Sequence, residues 1–163
     1  MNPMHRAFLK TPIGHLEVTG SENGIRTLTF LDFRVKPEPV PLCLRASVKQ
    51  LEEYFHGTRI QFDIKLDLVG SPFQLHVWNE LIKIPYGQTI SYLELARRTG
   101  NIKAFRAVGG ANGHNPVSII VPCHRVIGAN GRLVGYRGGL KRKKWLLEHE
   151  HALSQRDLFY GKL

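Results

Sequence analysis

Residues 91–111 read SYLELARRTGNIKAFRAVGGA, and the reading of this stretch decides the fold. Ser91 with Glu94 three residues on is the capping-box spacing that opens a helix, and Gly100 marks its end. A second helix starts after Asn101. Along it Ala104, Ala107, Val108 and Ala111 form an apolar stripe, which leaves Lys103, Arg106 and Gly110 on the opposite face. Two short helices joined by a tight glycine-containing turn make the helix-turn-helix pattern. A positive side chain beside a residue with no side chain is a surface that a phosphate backbone can approach closely. From the helix alone, a solvated arginine on an exposed face accounts for Arg106 as well. A helix that reads sequence carries several Arg, Asn or Gln side chains at its start, whereas Asn101, Ile102, Ala104 and Phe105 offer little beyond Lys103. The pattern implies binding with weak sequence preference.

Upstream, Ser71-Pro72-Phe73-Gln74 combines a Ser N-cap, Pro at the first helical position and Gln at the third. A helix is expected from there until Ile84-Pro85 stops it, with Phe73, Val77 and Leu81 as its buried stripe. Residues 1–70 read as a separate unit. Leu16-Glu17-Val18 leads to the turn signal Asn23-Gly24, and Leu28 and Phe30 resume the alternation. Residues 60–68 alternate completely, which predicts a half-buried strand. Between these, Leu44, Val48, Leu51 and Phe55 recur at helical spacing to a stop near Gly57, with Cys43 in a structural place at the start. The fold class is therefore α/β in the α+β sense. A small N-terminal subdomain with an antiparallel sheet, residues 1–70, precedes a mostly helical C-terminal subdomain with the helix-turn-helix, residues 71–163.

A chain of 163 residues has room for two such small subdomains and no more. Lys and Arg number 23 against 13 acidic residues, a formal charge of +10, which suits a polyanionic partner. A membrane surface is the alternative polyanion, but no long helix has a polarised Lys/Arg face. No apolar run approaches the roughly 20 residues of a membrane span. The start, Met-Asn-Pro-Met-His-Arg, has no apolar signal-peptide core, so a soluble chain without a secretory signal is expected. Two cysteines, Cys43 and Cys123, fit a reducing cytoplasm. They form no CxxC pair and the eight histidines show no ligand spacing, so neither metal nor cofactor is expected.

The chemistry concentrates at 115–126, NPVSIIVPCHRV. Here a cysteine ends a strand-like run, Ile119-Ile120-Val121, is followed at once by His124 and Arg125, and opens onto a glycine-rich loop. The thiolate is the nucleophile, and a neighbouring base or cation promotes it. A buried cysteine is also simply a small hydrophobe, and these residues alone leave both readings open.

This segment closely resembles the active site of the O6-alkylguanine-DNA alkyltransferases, which lift an alkyl group from a damaged base onto their own cysteine. Further matches follow in order: Ile90-Ser91-Tyr92 with Leu95-Ala96, Arg106-Ala107-Val108-Gly109, Gly135-Tyr136, Gly138-Gly139-Leu140, and Trp145-Leu146-Leu147 ending in His149-Glu150. The resemblance implies direct-reversal repair. A single alkyl group would pass from O6-alkylguanine in double-stranded DNA, with O4-alkylthymine a further candidate, to Cys123 after the base is flipped out. It makes Arg106 the wedge that fills the vacated space, with Lys103, Ala107, Gly110 and Arg125 as DNA-binding companions. The base would lie between the Asn115-Pro116 hinge and residues 134–139, where Tyr136 and Gly138 line the pocket. Tyr92 would reach guanine N3, the Arg137 amide would bind O6, and the carbonyls of Cys123 and Val126 would accept from the exocyclic amine.

By the same resemblance Glu150, on a helix from about 141 to 152 and on one stripe with Leu146 and Leu147, would orient His124 and stabilise its charged form. Adjacent side chains in extended backbone diverge, so His124 would act on Cys123 through a water. The thioether is inert, so the protein should act once, as a monomer with no obligate protein partner. Arg137 departs from the small residue of some relatives and either narrows the pocket or adds a phosphate contact. Two other readings stay open. A helix-turn-helix regulator explains the charge and residues 91–111 but not Cys123 and Glu150. A Cys-His hydrolase explains Cys123 and His124 but not the basic surplus.

Overall fold

The computed structural model describes residues 2–152, so the stretch 153–163, assigned by the sequence to the second subdomain, lies outside the described residues. Two compact units emerge among the described residues: 2–69 with 116–118, and 70–115 with 119–152.

In the first unit β1 (His5–Thr11), β2 (Gly14–Ser21) and β3 (Gly24–Leu31) form an antiparallel meander in sequential order. Alternation decides its faces. Ala7 and Leu9 of β1, Leu16 and Val18 of β2, and Leu28 of β3 point into the core. Strand β1 went unread in the sequence, because only a small Ala7 and a single Leu9 mark its inner face. Residues 116–118 join the same sheet, where Leu28 N donates to Pro116 O and Ser118 N to Leu28 O. Helix α1 (Arg45–Phe55), entered through a 3-10 turn at Leu42–Leu44 that contains the half-buried Cys43, buries Val48, Leu51 and Tyr54. Each such side chain contributes about 1.5–3 kcal/mol.

The half-buried strand expected over 60–68 does not form. The segment pairs with the sheet at one bridge, Ile25 with Leu66, and is tied to it by the Arg26–Asp67 ion pair. Higher up, the Gln50 side chain takes the place of a neighbouring strand: it accepts from Asp63 N and donates to Asp63 O. Side-chain alternation survives without the ladder. Gly24, at φ 130°, is what lets the segment approach, because a Cβ there would lie 2.5 Å from the Lys65 carbonyl.

In the second unit α2 (Pro72–Ile82) begins with the expected capping box: Ser71 Oγ accepts from Gln74 N and Gln74 Oε1 from Ser71 N. Its buried stripe is Val77, Trp78 and Leu81, whereas Phe73 is exposed. Trp78 wins the inward position because its indole N–H finds a buried acceptor, donating 2.8 Å to Ala111 O. Strand β4 (Ile90–Ser91) runs into α3 (Tyr92–Arg98), a short 3-10 turn at Ile102–Ala104 follows, and α4 (Phe105–Gly113) completes the helix-turn-helix. Only half of the second capping box forms. Ser91 Oγ accepts from Glu94 N, while the Glu94 carboxylate turns away to Arg97 and Arg98. In α4 the buried residues are Val108, Ala111 and Asn112; Ala107 of the expected apolar stripe faces out instead.

Nor is Ile119-Ile120-Val121 a strand. The three residues are turns, with Ile119 at φ 72°, a conformation costly for a β-branched side chain. Beyond them a one-turn 3-10 helix, Cys123–Arg125, leads into β5 (Val126–Ile127), which pairs in parallel with β4. Helix α5 (Leu140–His149) packs Leu146 and Leu147 inward against that turn.

Candidate active site

The two-residue pairing of β4 with β5 is small, but it sets the site. Ser91 lies opposite Ile127 and Ile90 opposite Val126, so the start of α3, with Tyr92, is brought beside the turn that holds Cys123. The backbone before that turn is pinned at one carbonyl: Asn115 Nδ2 donates 2.7 Å to Val121 O, and Cys123 N donates 2.8 Å to the same oxygen. Cys123 is 5% exposed. Burial pushes its thiol pKa up, and the Asn115 side chain and the positive charge of Lys143 only partly oppose this. The resting group is the thiol.

His124 is completely buried, with Nε2 2.8 Å from Glu150 Oε1. Burial drives its pKa down against the pull of Glu150, so the imidazole is neutral at neutral pH. A neutral ring bonded to a carboxylate carries its proton on the bonded nitrogen, which leaves the Nδ1 lone pair. Nδ1 is buried and has no hydrogen-bond partner among the described residues.

Burial alone would raise the Glu150 carboxyl; His124 and Arg125 outweigh it and hold the group below the usual carboxylate range. With the imidazole uncharged, His124 holds the carboxylate by its N–H hydrogen bond and Arg125 supplies the positive charge beside it. Its Nε donates 2.8 Å to Oε2 and its Nη2 2.9 Å to Oε1, a bidentate pair, while Nη1 donates 2.6 Å to Ile84 O. Gly87, at φ 76°, permits the loop after α2 to close over Glu150, for a Cβ there would sit 3.0 Å from the Glu150 carbonyl.

Arg125, expected among the DNA-facing residues, is therefore not on the surface. A guanidinium buried against a carboxylate has no face left for a phosphate. The charged His124 expected from the resemblance is corrected too, because desolvation exceeds the attraction of a carboxylate already neutralised by arginine. The extended backbone assumed at Cys123-His124 is a 3-10 turn.

Tyr92 is half-buried and donates 3.0 Å to Val134 O. Burial and the neighbouring Cys123 raise its pKa above that of an ordinary tyrosine. The loop 128–139 supplies the facing wall, where Tyr136 and Gly138 are half-buried and the Arg137 side chain is exposed. Apart from this cluster, Arg106, Ala107 and Gly110 are exposed on α4, and Lys103 is exposed in the 3-10 turn just before it. The other side of that helix reaches the cluster at Gly109, where a Cβ would lie 3.9 Å from the Tyr92 ring.

Lys143 was missed in the sequence. It lies at the same helical spacing as Leu146, Leu147 and Glu150, and that signal was followed to Glu150 only. The described residues contain no group of three or more His, Cys, Asp or Glu side chains placed to hold a metal, and no helix among them is long and apolar enough to cross a membrane.

Known proteins resemble the chain over almost its whole length. Residues 4–68 match the family described as 6-O-methylguanine DNA methyltransferase, ribonuclease-like domain, and residues 72–152 its DNA binding domain. A methylated-DNA--protein-cysteine methyltransferase of Mycobacterium bovis is 46% identical over 160 residues, 95% of this chain and 97% of the relative. The crystal structure of Mycobacterium tuberculosis O6-methylguanine methyltransferase superposes with a TM-score of 0.83 at 45% identity, covering 97% of this chain and 99% of that one. A Mycobacterium tuberculosis OGT in complex with DNA gives 0.83 at 47% identity over 94% and 97%.

Proposed function

The chain belongs to the 6-O-methylguanine DNA methyltransferase family, and from that premise we propose that it repairs DNA by direct reversal, moving the alkyl group of O6-alkylguanine, and of O4-alkylthymine if the pocket admits it, onto its own Cys123. The observation that carries this reading is the buried Cys123 beside a neutral imidazole whose tautomer is fixed by Glu150. Residues 71–163 would do the binding and the chemistry.

An alkyl group on O6 is out of reach inside a duplex, and extruding the nucleotide costs a few kcal/mol, less for a poorly paired base. The exposed cations Lys103 and Arg106, with the small Ala107 and Gly110 after them, suit a helix laid against the backbone with Arg106 as the wedge. The flipped base would lie between Tyr92 and the loop carrying Tyr136 and Gly138. Arg137, with its side chain in solvent, fits a phosphate contact better than a narrowed pocket.

In the transfer step the Cys123 sulfur attacks the alkyl carbon and the bond from carbon to O6 breaks. The thiol proton passes through a water to His124 Nδ1, which makes no direct hydrogen bond to the sulfur. The bonding pair stays on guanine, which takes a proton from the Tyr92 hydroxyl, and solvent restores that. Because the resting group is a thiol, His124 acts as base at the moment of transfer instead of holding a thiolate in advance. Asn115 positions the turn. The thioether has no route back, so the protein acts once. It would work as a monomer without a protein partner, in a reducing compartment such as the cytoplasm.

Incubation with duplex DNA carrying labelled O6-methylguanine should place one methyl on the Cys123 peptide per molecule, and Cys123→Ser should bind DNA and accept none. Repeated turnover, or label on Cys43, would overturn the reading.

A further inference from the structure

The chemistry above passes a proton from the Tyr92 hydroxyl to the departing guanine, and what it leaves behind is a half-buried phenolate. How readily that forms depends on the groups facing the oxygen. Helix α4 runs alongside the ring. A Cβ on Gly109 would lie 3.9 Å from Tyr92 Cδ1, and Asn112, about one turn further along the helix, hydrogen-bonds through its side chain to the hydroxyl. Asn112 is 5% exposed, the polar member of the buried stripe with Val108 and Ala111. Its Oδ1 is buried and has no hydrogen-bond partner among the described residues.

These observations fix the direction of the bond. A tyrosine hydroxyl has one proton and two lone pairs, and Tyr92 donates its proton 3.0 Å to Val134 O. The oxygen is left as an acceptor, so Asn112 Nδ2 donates to it and Oδ1 turns away. The reverse orientation would set two oxygens lone pair to lone pair. The nearest cation is engaged elsewhere: the Lys143 ammonium lies 5.7 Å from the centre of the Tyr92 ring, but donates to the carbonyls of Val126 at 2.6 Å, Val134 at 2.9 Å and Gly135 at 3.0 Å. A buried acceptor without a donor also costs stability that an apolar side chain of the same size would not. The fold carries that cost at Asn112.

We propose that Asn112 is a positioning residue for alkyl transfer, whose amide turns the Tyr92 proton toward the base and stabilises the phenolate left when guanine takes it. The proposal deepens the reading of Cys123 as alkyl acceptor and rests on it. In that step the sulfur–carbon bond forms, the bond from carbon to O6 breaks with its pair left on guanine, and the Tyr92 proton neutralises the base. The phenolate keeps the Asn112 donor until solvent returns a proton. Burial and the neighbouring Cys123 push the Tyr92 hydroxyl pKa up, and Asn112 pulls against them. A stronger acid there speeds the departure of a poor leaving group.

The test uses the whole chain and three reagents for the same sulfur. Free O6-benzylguanine expels a poor leaving group that needs the tyrosine proton. In O6-benzyl-8-azaguanine an extra ring nitrogen stabilises the departing anion, so it needs that proton less. Iodoacetamide expels iodide and needs none. Asn112→Leu should slow transfer from benzylguanine by about tenfold to 100-fold, the scale of one hydrogen bond to a charged group. It should slow the aza analogue less and leave iodoacetamide labelling unchanged. On a Tyr92→Phe background, Asn112→Leu should cost nothing further, because the residue it acts through has lost its oxygen. Denaturant unfolding should show the leucine variant at least as stable as wild type, which a merely structural asparagine would not allow. An unchanged benzylguanine rate, equal slowing of both purines, or a full loss on the Tyr92→Phe background overturns the proposal. If Asn112→Leu does not fold, Asn112→Ala is read by the same three rates and the same background. A wild-type chain that iodoacetamide labels at Cys123 but benzylguanine never does overturns the alkyl-acceptor reading itself, and the proposal with it.

Discussion

Arg106 and Arg125 carry the same guanidinium, one on the outer face of α4 and one beneath the Cys123 turn, and their surroundings differ in every respect. Arg106 is exposed, rests over the Phe105 ring and has no carboxylate partner among the described residues. Arg125 is 6% exposed and spends its donors on Glu150 and the Ile84 carbonyl. Lys103 and Lys143 repeat the contrast. Charge left unpaired in water is charge kept for a partner, because little is lost by leaving it solvated. Charge taken out of water survives only where every proton has an acceptor, and it then fixes geometry. Even α3 conforms, since Arg97 and Arg98 both pair with Glu94, whereas Arg106 on α4 and Lys103 just before it stay open to water.

The buried half of this comparison breaks most readily. Glu150→Gln removes the charge that compensates Arg125, and leaving one member of a buried pair costs about 3–5 kcal/mol. Denaturant unfolding should show a loss of that order, and adding Arg125→Met should recover most of it. A stability unchanged by Glu150→Gln would place the arginine charge in solvent after all.

Lys143 gives a slightly smaller effect with a definite sign. Between about 8 and its ordinary value of 10.5, the unfolded chain holds a proton that the folded chain has lost. Stability should therefore rise with pH across that window, by roughly 3 kcal/mol for a lysine that stays fully buried. Lys143→Met should lack the rise when the two are unfolded side by side. A parallel pH dependence in both would mean that another group titrates there.

On the exposed half, Arg106→Ala should leave the melting temperature unmoved and slow repair of duplex DNA by roughly 100-fold, the scale of the cost of extruding a nucleotide. Reaction with free O6-benzylguanine should hardly change. Equal losses on both substrates would remove the wedge role. The smallest effect belongs to Gly110, where an added Cβ meets nothing within 4 Å. Gly110→Ala should stabilise the helix by up to about 1 kcal/mol and yet weaken DNA binding in a titration. Unweakened binding would show that no backbone comes close to that residue.

What could be read in advance follows the same division. The Ser71 capping box, the helix-turn-helix and the outward face of Lys103, Arg106 and Gly110 depend on residues a few positions apart, and local spacing expresses them fully. Glu150 was legible as an inward-facing acid from its stripe with Leu146 and Leu147. Lys143 lay on the same stripe and was passed over, because a lysine at an inward position has meaning only when its acceptors are known. Those are backbone carbonyls, which carry no sequence signal. The alternation of residues 60–68 was real, but strand formation requires a partner edge, and Gln50 had already taken Asp63.

The sequence by itself determined the family, the helix-turn-helix and the candidate nucleophile, since each depends on which residues stand near one another along the chain. Tertiary structure alone decided the protonation of the site. Whether Cys123 rests as thiol, whether His124 is charged, and whether Arg125 serves DNA or Glu150 all depend on how much water is excluded and which charge arrives from α5. Desolvation and Coulomb attraction act through space, and residues separated by long stretches of chain set both.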